Sequence, residues 1–121
     1  MYKIERTKNQ LIEQFQLGNE TVEFTLNPTA IVSKFAEYQG RLVLLQEQYR
    51  KEPSEISLGR IGETVLDLFQ LLFGEQTEKI LLFFDGDWTE MLEQVYPYIM
   101  FELYPKLKKA SIERAKQMKR R

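Results

Sequence analysis

The chain has 121 residues, of which 43% are hydrophobic and 29% charged, and its formal net charge is −1. This length predicts one domain, and the composition excludes wholesale disorder. Cysteine and histidine are both absent, which excludes disulfides, thiolate metal sites and the commonest general base.

The first predicted element is a β-hairpin within residues 10–26. Apolar and polar residues alternate on both sides of Gly18-Asn19, and these two residues tolerate the positive φ of a tight turn. Tyr2 and Ile4 suggest a further short strand. Because a two-stranded ribbon is marginally stable alone, we expect it to pack on helices.

Two helices are predicted next. Asn27-Pro28 has the form of an N-cap followed by proline at the first helical position, and the apolar stripe of this helix runs to about Arg50. Pro53 interrupts the chain, and a second helix follows with Ser54 or Ser57 as its cap. This helix is expected to end at Gly74, which we predict adopts a left-handed conformation.

The remainder is predicted to be helical. Residues 77–84 have room for about two turns of helix, residues 85–87 read as a turn, and Asp87 with Glu90 has the form of a capping box. A last helix starts at Trp88, and Pro97 and Pro105 should kink or divide it.

These elements predict a mainly α fold: one small helical domain with a short N-terminal β-hairpin and a long, proline-kinked C-terminal helical region. We divide the single domain 1–121 into a hairpin region (1–26), a helical body (27–105) and a basic helical tail with a frayed end (106–121).

No catalytic, cofactor-binding or metal-ligating constellation is recognisable. The tightest acidic cluster is Asp85, Asp87 and Glu90, but a calcium loop needs glutamate at its twelfth position, which here is Tyr96. Capping explains these carboxylates more simply. We therefore predict a non-enzymatic protein without cofactors.

Charge is distributed unevenly. Residues 106–121 hold eight basic residues against Glu113 alone, whereas the rest of the chain carries a balance of −8. We predict electrostatic docking, to another copy or to another acidic surface, through Lys106, Lys108, Lys109, Arg114, Lys116, Lys119, Arg120 and Arg121. A solvated helix end that complements the macrodipole is the alternative. A nucleic-acid-associated regulator is a further alternative, although no aromatic residue follows Tyr104.

The stretch LLFGEQTEKILLFF, residues 71–84, holds two apolar clusters on either side of a small polar hinge. Five successive apolar residues at 80–84 cannot all face one core when the helical period is 3.6 residues. We predict that part of this surface binds a partner, through Phe69, Leu72, Phe73, Ile80, Phe83, Phe84 and Trp88. The alternative is that surrounding helices bury all of it.

The run from Leu72 to Ile80, followed by Phe83, Phe84, the acidic turn and a helix with Met91, Leu92 and Tyr98, resembles one family. It is similar to the small tail assembly chaperones of long-tailed phages that infect Gram-positive bacteria, which carry an FGEGT-EKIF-type element. Gln76 replaces the second glycine of that element. The likeness covers residues 65–99.

The resemblance implies a mostly helical protein that self-associates. It also implies that the protein coats the long, aggregation-prone helices of the tape measure protein until tail tube subunits replace it, and that the finished virion lacks it. A structural head–tail component is the alternative within the same context. The longest apolar run has five residues, against about 20 for a membrane span, so we expect a soluble protein of the host cytoplasm with no membrane partner.

Overall fold

The computed structural model describes residues 1–6 and 9–119, without the side chain of Lys119. Its strands are β1 (Leu11–Leu17) and β2 (Glu20–Leu26), and its helices are α1 (Pro28–Lys51), α2 (Glu55–Phe73), α3 (Gln76–Phe83), α4 (Trp88–Tyr98) and α5 (Tyr104–Lys119). A π-helical turn, Ile99–Leu103, joins α4 to α5. The predicted mainly α fold with an N-terminal hairpin is confirmed.

The hairpin forms as predicted, around Gly18-Asn19. β1 and β2 pair antiparallel from Leu11 opposite Leu26 to Leu17 opposite Glu20. Gly18 has a φ of +64°, and Asn19 is not among the residues with positive φ, which is the pattern of a type II′ turn with glycine at its first central position. Side chains on the inner face of β2 are buried against the helices. The further strand suggested by Tyr2 and Ile4 is absent, since residues 1–6 form no strand.

Helix ends follow local capping chemistry. The side chain of Asn27 accepts a hydrogen bond from the Ala30 N–H at 3.3 Å. Ser54, not Ser57, caps α2, because its Oγ accepts from the Ser57 N–H at 3.0 Å. Gly74 ends α2 with a φ of +53°, in the region that favours glycine.

Asp87 caps α4, but only one of the two reciprocal interactions of the predicted capping box forms. Its carboxylate accepts from the N–H groups of Thr89 and Glu90, while its own N–H donates to the Phe84 carbonyl at 2.9 Å rather than to the Glu90 side chain. The hydrogen bond from the Thr89 hydroxyl, followed by that from the Glu90 N–H, lowers the pKa of Asp87. The charged cap is therefore the stable form at neutral pH.

The C-terminal helix remains joined through the two prolines, but its regular α-helical winding is interrupted between them. Pro97 lies inside α4 and Pro105 is the second residue of α5. In the π-helical turn between them, the Tyr104 N–H donates to the Ile99 carbonyl. A wider turn at this point accommodates Pro105, which has no N–H to donate and whose ring would clash with a carbonyl of a regular preceding turn.

The core lies between the hairpin and the helices, and it extends into the predicted tail. Leu107 is fully buried, and the rings of Phe35 in α1 and Tyr104 in α5 lie 5.0 Å apart. The first turn of the predicted tail, from Lys106 onward, therefore belongs to the helical body. The stripe of buried residues in the C-terminal helix thus extends past residue 105 to Leu107.

Candidate functional site

Most of the residues that we predicted to bind a partner are core residues. Five of the seven are at most 8% exposed: Phe69, Leu72, Phe73, Ile80 and Phe84. The prediction that they form an accessible surface is wrong, because α2 packs against α1, α3, α4 and strand β2. Two residues of the set remain accessible, Phe83 and Trp88.

The apolar run at residues 80–84 divides between core and surface, as the helical period requires. Ile80 and Phe84 are buried, whereas Leu82 is 67% and Phe83 50% exposed. Gly74 reverses the chain so that α3 returns along the hairpin, with contacts to β2. The expectation that one or two of these five residues point outward is confirmed.

Trp88 lies against α2 rather than free in solvent. A methyl group added at Gly62 would stand 2.8 Å from the indole Cε2 and Nε1 atoms of Trp88. The ring is half-buried over this glycine. Because its inner face is already occupied by α2, Trp88 has only its outer edge to offer to a partner.

Phe83 lies over the hairpin turn. A methyl group added at Gly18 would come within 2.8 Å of its Cε2 atom, and its ring meets that of Phe84 edge to face at 5.1 Å. The exposed ring is therefore held in place from two sides. Such a preorganised aromatic is suited to serve as an anchor in an interface.

A groove of about 480 Å³ begins at Phe83 and runs between β1 and α4. One wall consists of residues 15–18, and the rest of the lining comes from Phe83, Phe84, Glu90, Gln94, Val95 and Tyr98. The floor is apolar and aromatic, the rim carries glutamine side chains, and Glu90 is the one charged residue of the lining. An apolar floor inside a polar rim is suited to bind an apolar partner, and this groove is our candidate site.

Tyr98 closes the groove toward the centre of the molecule. Its ring lies 5.1 Å from that of Phe15. Burial, together with the nearby carboxylates of Glu13 and Glu102, raises the pKa of Tyr98 to about 12. The phenol therefore stays neutral at physiological pH, and the groove carries no charge at this position.

This raised pKa predicts a loss of stability at high pH. In the unfolded chain Tyr98 ionises near pH 10, below its folded value of about 12. The neutral Tyr98 phenol therefore contributes its full share of the free energy of unfolding below pH 10. This share is lost as the pH rises through 12. The Tyr98→Phe variant should lose less stability than the parent protein over this window in urea titrations. Equal losses in the two proteins would contradict the prediction.

The predicted basic docking surface is partly engaged within the chain. Lys106 pairs with Glu13 at 3.1 Å, and Lys116 lies 4.0 Å from Glu113. The ammonium of Lys108 lies 6.0 Å from the centre of the Tyr104 ring.

The other basic residues of the predicted docking surface differ in exposure. Lys109 is exposed and Arg114 is half-buried on the same helix. The side chain of Lys119, together with Arg120 and Arg121, lies outside the described residues.

Sequence reasoning missed most of the groove. Phe15, Gln94, Val95 and Tyr98 were not among the predicted partner-binding residues, although the aromatic excess around Tyr98 is visible in the sequence. Phe15 and Tyr98 are separated by more than eighty positions, and no local pattern brings them together. Of the predicted set, Phe83 and Phe84 line the groove.

Comparisons of the chain with protein-family models, curated proteins and solved structures find no match. The resemblance to tail assembly chaperones therefore rests on residues 65–99 of the sequence alone. Within the range that the structure describes, no helix has the length and apolarity to cross a membrane. The same residues contain no cluster of three or more acidic side chains suited to a metal ion.

Proposed function

We propose that this protein is a non-enzymatic assembly chaperone that binds a long amphipathic helix and prevents its aggregation. The client is the tape measure protein of a phage tail, as the resemblance of residues 65–99 suggests. The single observation that supports client binding most directly is the groove at Phe83, because it offers an ordered aromatic wall beside an apolar floor.

A client helix would place the side chains of its apolar face in this groove and its polar face toward solvent. The walls are formed by a strand and a helix, and the rim residues Gln16 and Gln94 both donate and accept hydrogen bonds. Such a rim accepts many client registers, which suits a protein that must coat a repetitive helix rather than read one sequence.

Each groove would bind weakly, and this weakness suits the proposed role. Full burial of a phenylalanine contributes about 1.5–3 kcal/mol, and Phe83 is already half-buried, so covering it adds about half of that amount. Many copies along one client would together hold it firmly. Incoming tail tube subunits could then displace the copies one at a time. Under this proposal the protein acts in the host cytoplasm and is absent from the virion.

The test is co-expression with a candidate tape measure protein. The parent protein should keep the client in the soluble fraction and co-elute with it at high salt, because apolar contacts, unlike phosphate contacts to nucleic acid, are not screened. Phe83→Ser should reduce the soluble client while leaving the far-UV circular dichroism unchanged. We choose Phe83 alone, since Phe84 is a core residue.

Phe101→Ser is the matched control, because Phe101 is 80% exposed and does not line the groove. It should rescue the client as well as the parent protein does. Equal loss in both variants would show that general surface hydrophobicity matters and the groove does not. A client that stays insoluble with the parent protein would contradict the proposed function. Mass spectrometry of purified virions distinguishes a chaperone, which should be absent, from a structural component, which would be present in the particle.

A further inference from the structure

One edge of the β-hairpin is unpaired. In antiparallel strands joined by a two-residue loop, the residues flanking the loop exchange both hydrogen bonds, and hydrogen-bonded and non-bonded pairs alternate from there. The register from Leu17 opposite Glu20 therefore turns the N–H and C=O groups of Ile12, Gln14 and Gln16 outward from β1. Among the described residues, none of these groups takes part in a backbone hydrogen bond outside the hairpin.

The edge of β2 is different because α3 lies beside it. There the Gln76 side-chain amide donates to the Glu23 carbonyl at 3.3 Å, and Lys79 pairs with Glu20 at 2.9 Å. The edge of β1 instead borders the groove described above, whose wall is formed by residues 15–18. β1 also lacks the proline and lysine residues that protect exposed edges.

The chain itself contains a segment that fits this edge. Tyr2 and Ile4 are 92% and 84% exposed, although residues of this size are usually covered. Lys3 and Glu5 form an ion pair at 3.0 Å, and such a contact between residues two apart places both side chains on one side of an extended chain. Tyr2 and Ile4 then share the opposite side, so the segment has an apolar face and a polar face.

We propose that the N-terminal segment of a second copy, residues 2–6, adds as a strand to the free edge of β1. Its apolar face, Tyr2 and Ile4, would cover the groove floor. Lys3 and Arg6 outnumber Glu5 in this segment, and the groove that receives it has Glu90 as its charged lining residue, so the charges are complementary. Main-chain hydrogen bonds would supply affinity, and the apolar side chains would supply register.

A second copy fits better than the same chain. The Asn9 side chain donates to the Thr29 hydroxyl at 3.1 Å, and Thr29 lies at the start of α1, directly after β2. Asn9, two residues before β1 begins, is therefore held on the β2 side of the strand. Each copy both donates a segment and offers an edge, so association can continue beyond a dimer. This pairing needs no client, but it uses the same groove and would compete with one.

The test is sedimentation velocity of the full chain, without client, between about 1 and 100 µM. The parent protein should associate with concentration. Tyr2→Glu with Ile4→Glu removes the donor, and Gln14→Pro removes an outward N–H while leaving the hydrogen bonds within the hairpin intact. Each variant alone should associate at least about tenfold more weakly. Gln14→Ala keeps the N–H and should behave as the parent protein does, as should the remote surface variant Ile56→Glu.

Mixing the two defective variants makes the test sharper. The Gln14→Pro chain can still donate its segment to the intact edge of the Tyr2→Glu/Ile4→Glu chain, so the mixture should form a 1:1 complex that neither forms alone. A parent protein that stays monomeric to about 100 µM would overturn the proposal, as would variants that associate normally. Hydrogen exchange at Ile12, Gln14 and Gln16 that is slow at every concentration would assign the edge to the chain's own segment. Client rescue by the parent protein is measured separately, so a failure of self-association leaves the proposed client binding standing.

Discussion

Phe73→Ala should lower the free energy of unfolding by about 3–5 kcal/mol. Phe73 is nearly fully buried at the end of α2. Its ring lies 5.5 Å from that of Phe15, 4.9 Å from that of Phe24 and 5.4 Å from that of Phe69. The substitution would leave a cavity where the hairpin meets the helices. Such a loss is a large part of the total stability of a small domain, about 5–15 kcal/mol.

Urea denaturation followed by far-UV circular dichroism measures this change directly. Phe101→Ala is the control, because its ring is exposed and its removal should change the free energy of unfolding by no more than about 0.5 kcal/mol. If Phe73→Ala were as mild as Phe101→Ala, the four aromatic rings would not be packed as the structure shows. Phe15 also lines the groove, so Phe73→Ala should weaken client rescue as well.

Gly62→Ala should destabilise the protein by about 1–3 kcal/mol, although alanine ordinarily favours a helix over glycine. The added methyl group would stand 2.8 Å from the Trp88 indole, so the ring must move away from α2. Trp88 is the only tryptophan of the chain. Its fluorescence emission should therefore shift to longer wavelength as the ring gains contact with water.

Gly59→Ala is a matched control on the same helix, because a methyl group there meets nothing within 4 Å. It should stabilise the protein by up to about 1 kcal/mol and leave the emission spectrum unchanged. Gly62→Ala is expected to destabilise the protein and Gly59→Ala to stabilise it, although the two glycines are only three residues apart. This difference in sign separates the effect of packing from that of helix propensity. A stabilising Gly62→Ala with unchanged fluorescence would show that Trp88 does not rest on α2.

Helix boundaries were predictable because their causes are local. Asn27, Ser54 and Asp87 each accept hydrogen bonds from N–H groups two or three positions further along the chain. The turn at Gly18 and the end of α2 at Gly74 likewise depend on a φ that glycine adopts without strain. A reader of the sequence alone can see every group that takes part in these interactions.

The fate of the apolar clusters was predictable only in part. The helical period requires that some of residues 80–84 point outward, but it does not say which ones. That choice follows from the direction in which α3 leaves Gly74 and from its contact with β2. The same contacts bury Phe84 and leave Phe83 at the surface, so two adjacent and identical residues have different environments.

The sequence by itself therefore determined the fold class, the turns and the caps, because these depend on residues within about four positions of one another. Only the tertiary structure decided where the groove lies. Its walls come from β1 and α4, and Phe15 meets Tyr98 only after the hairpin has packed on the helices. The free edge of β1 was hidden for the same reason: whether a strand is paired, covered or open depends on what lies beside it in space, and sequence periodicity carries no information about that neighbour.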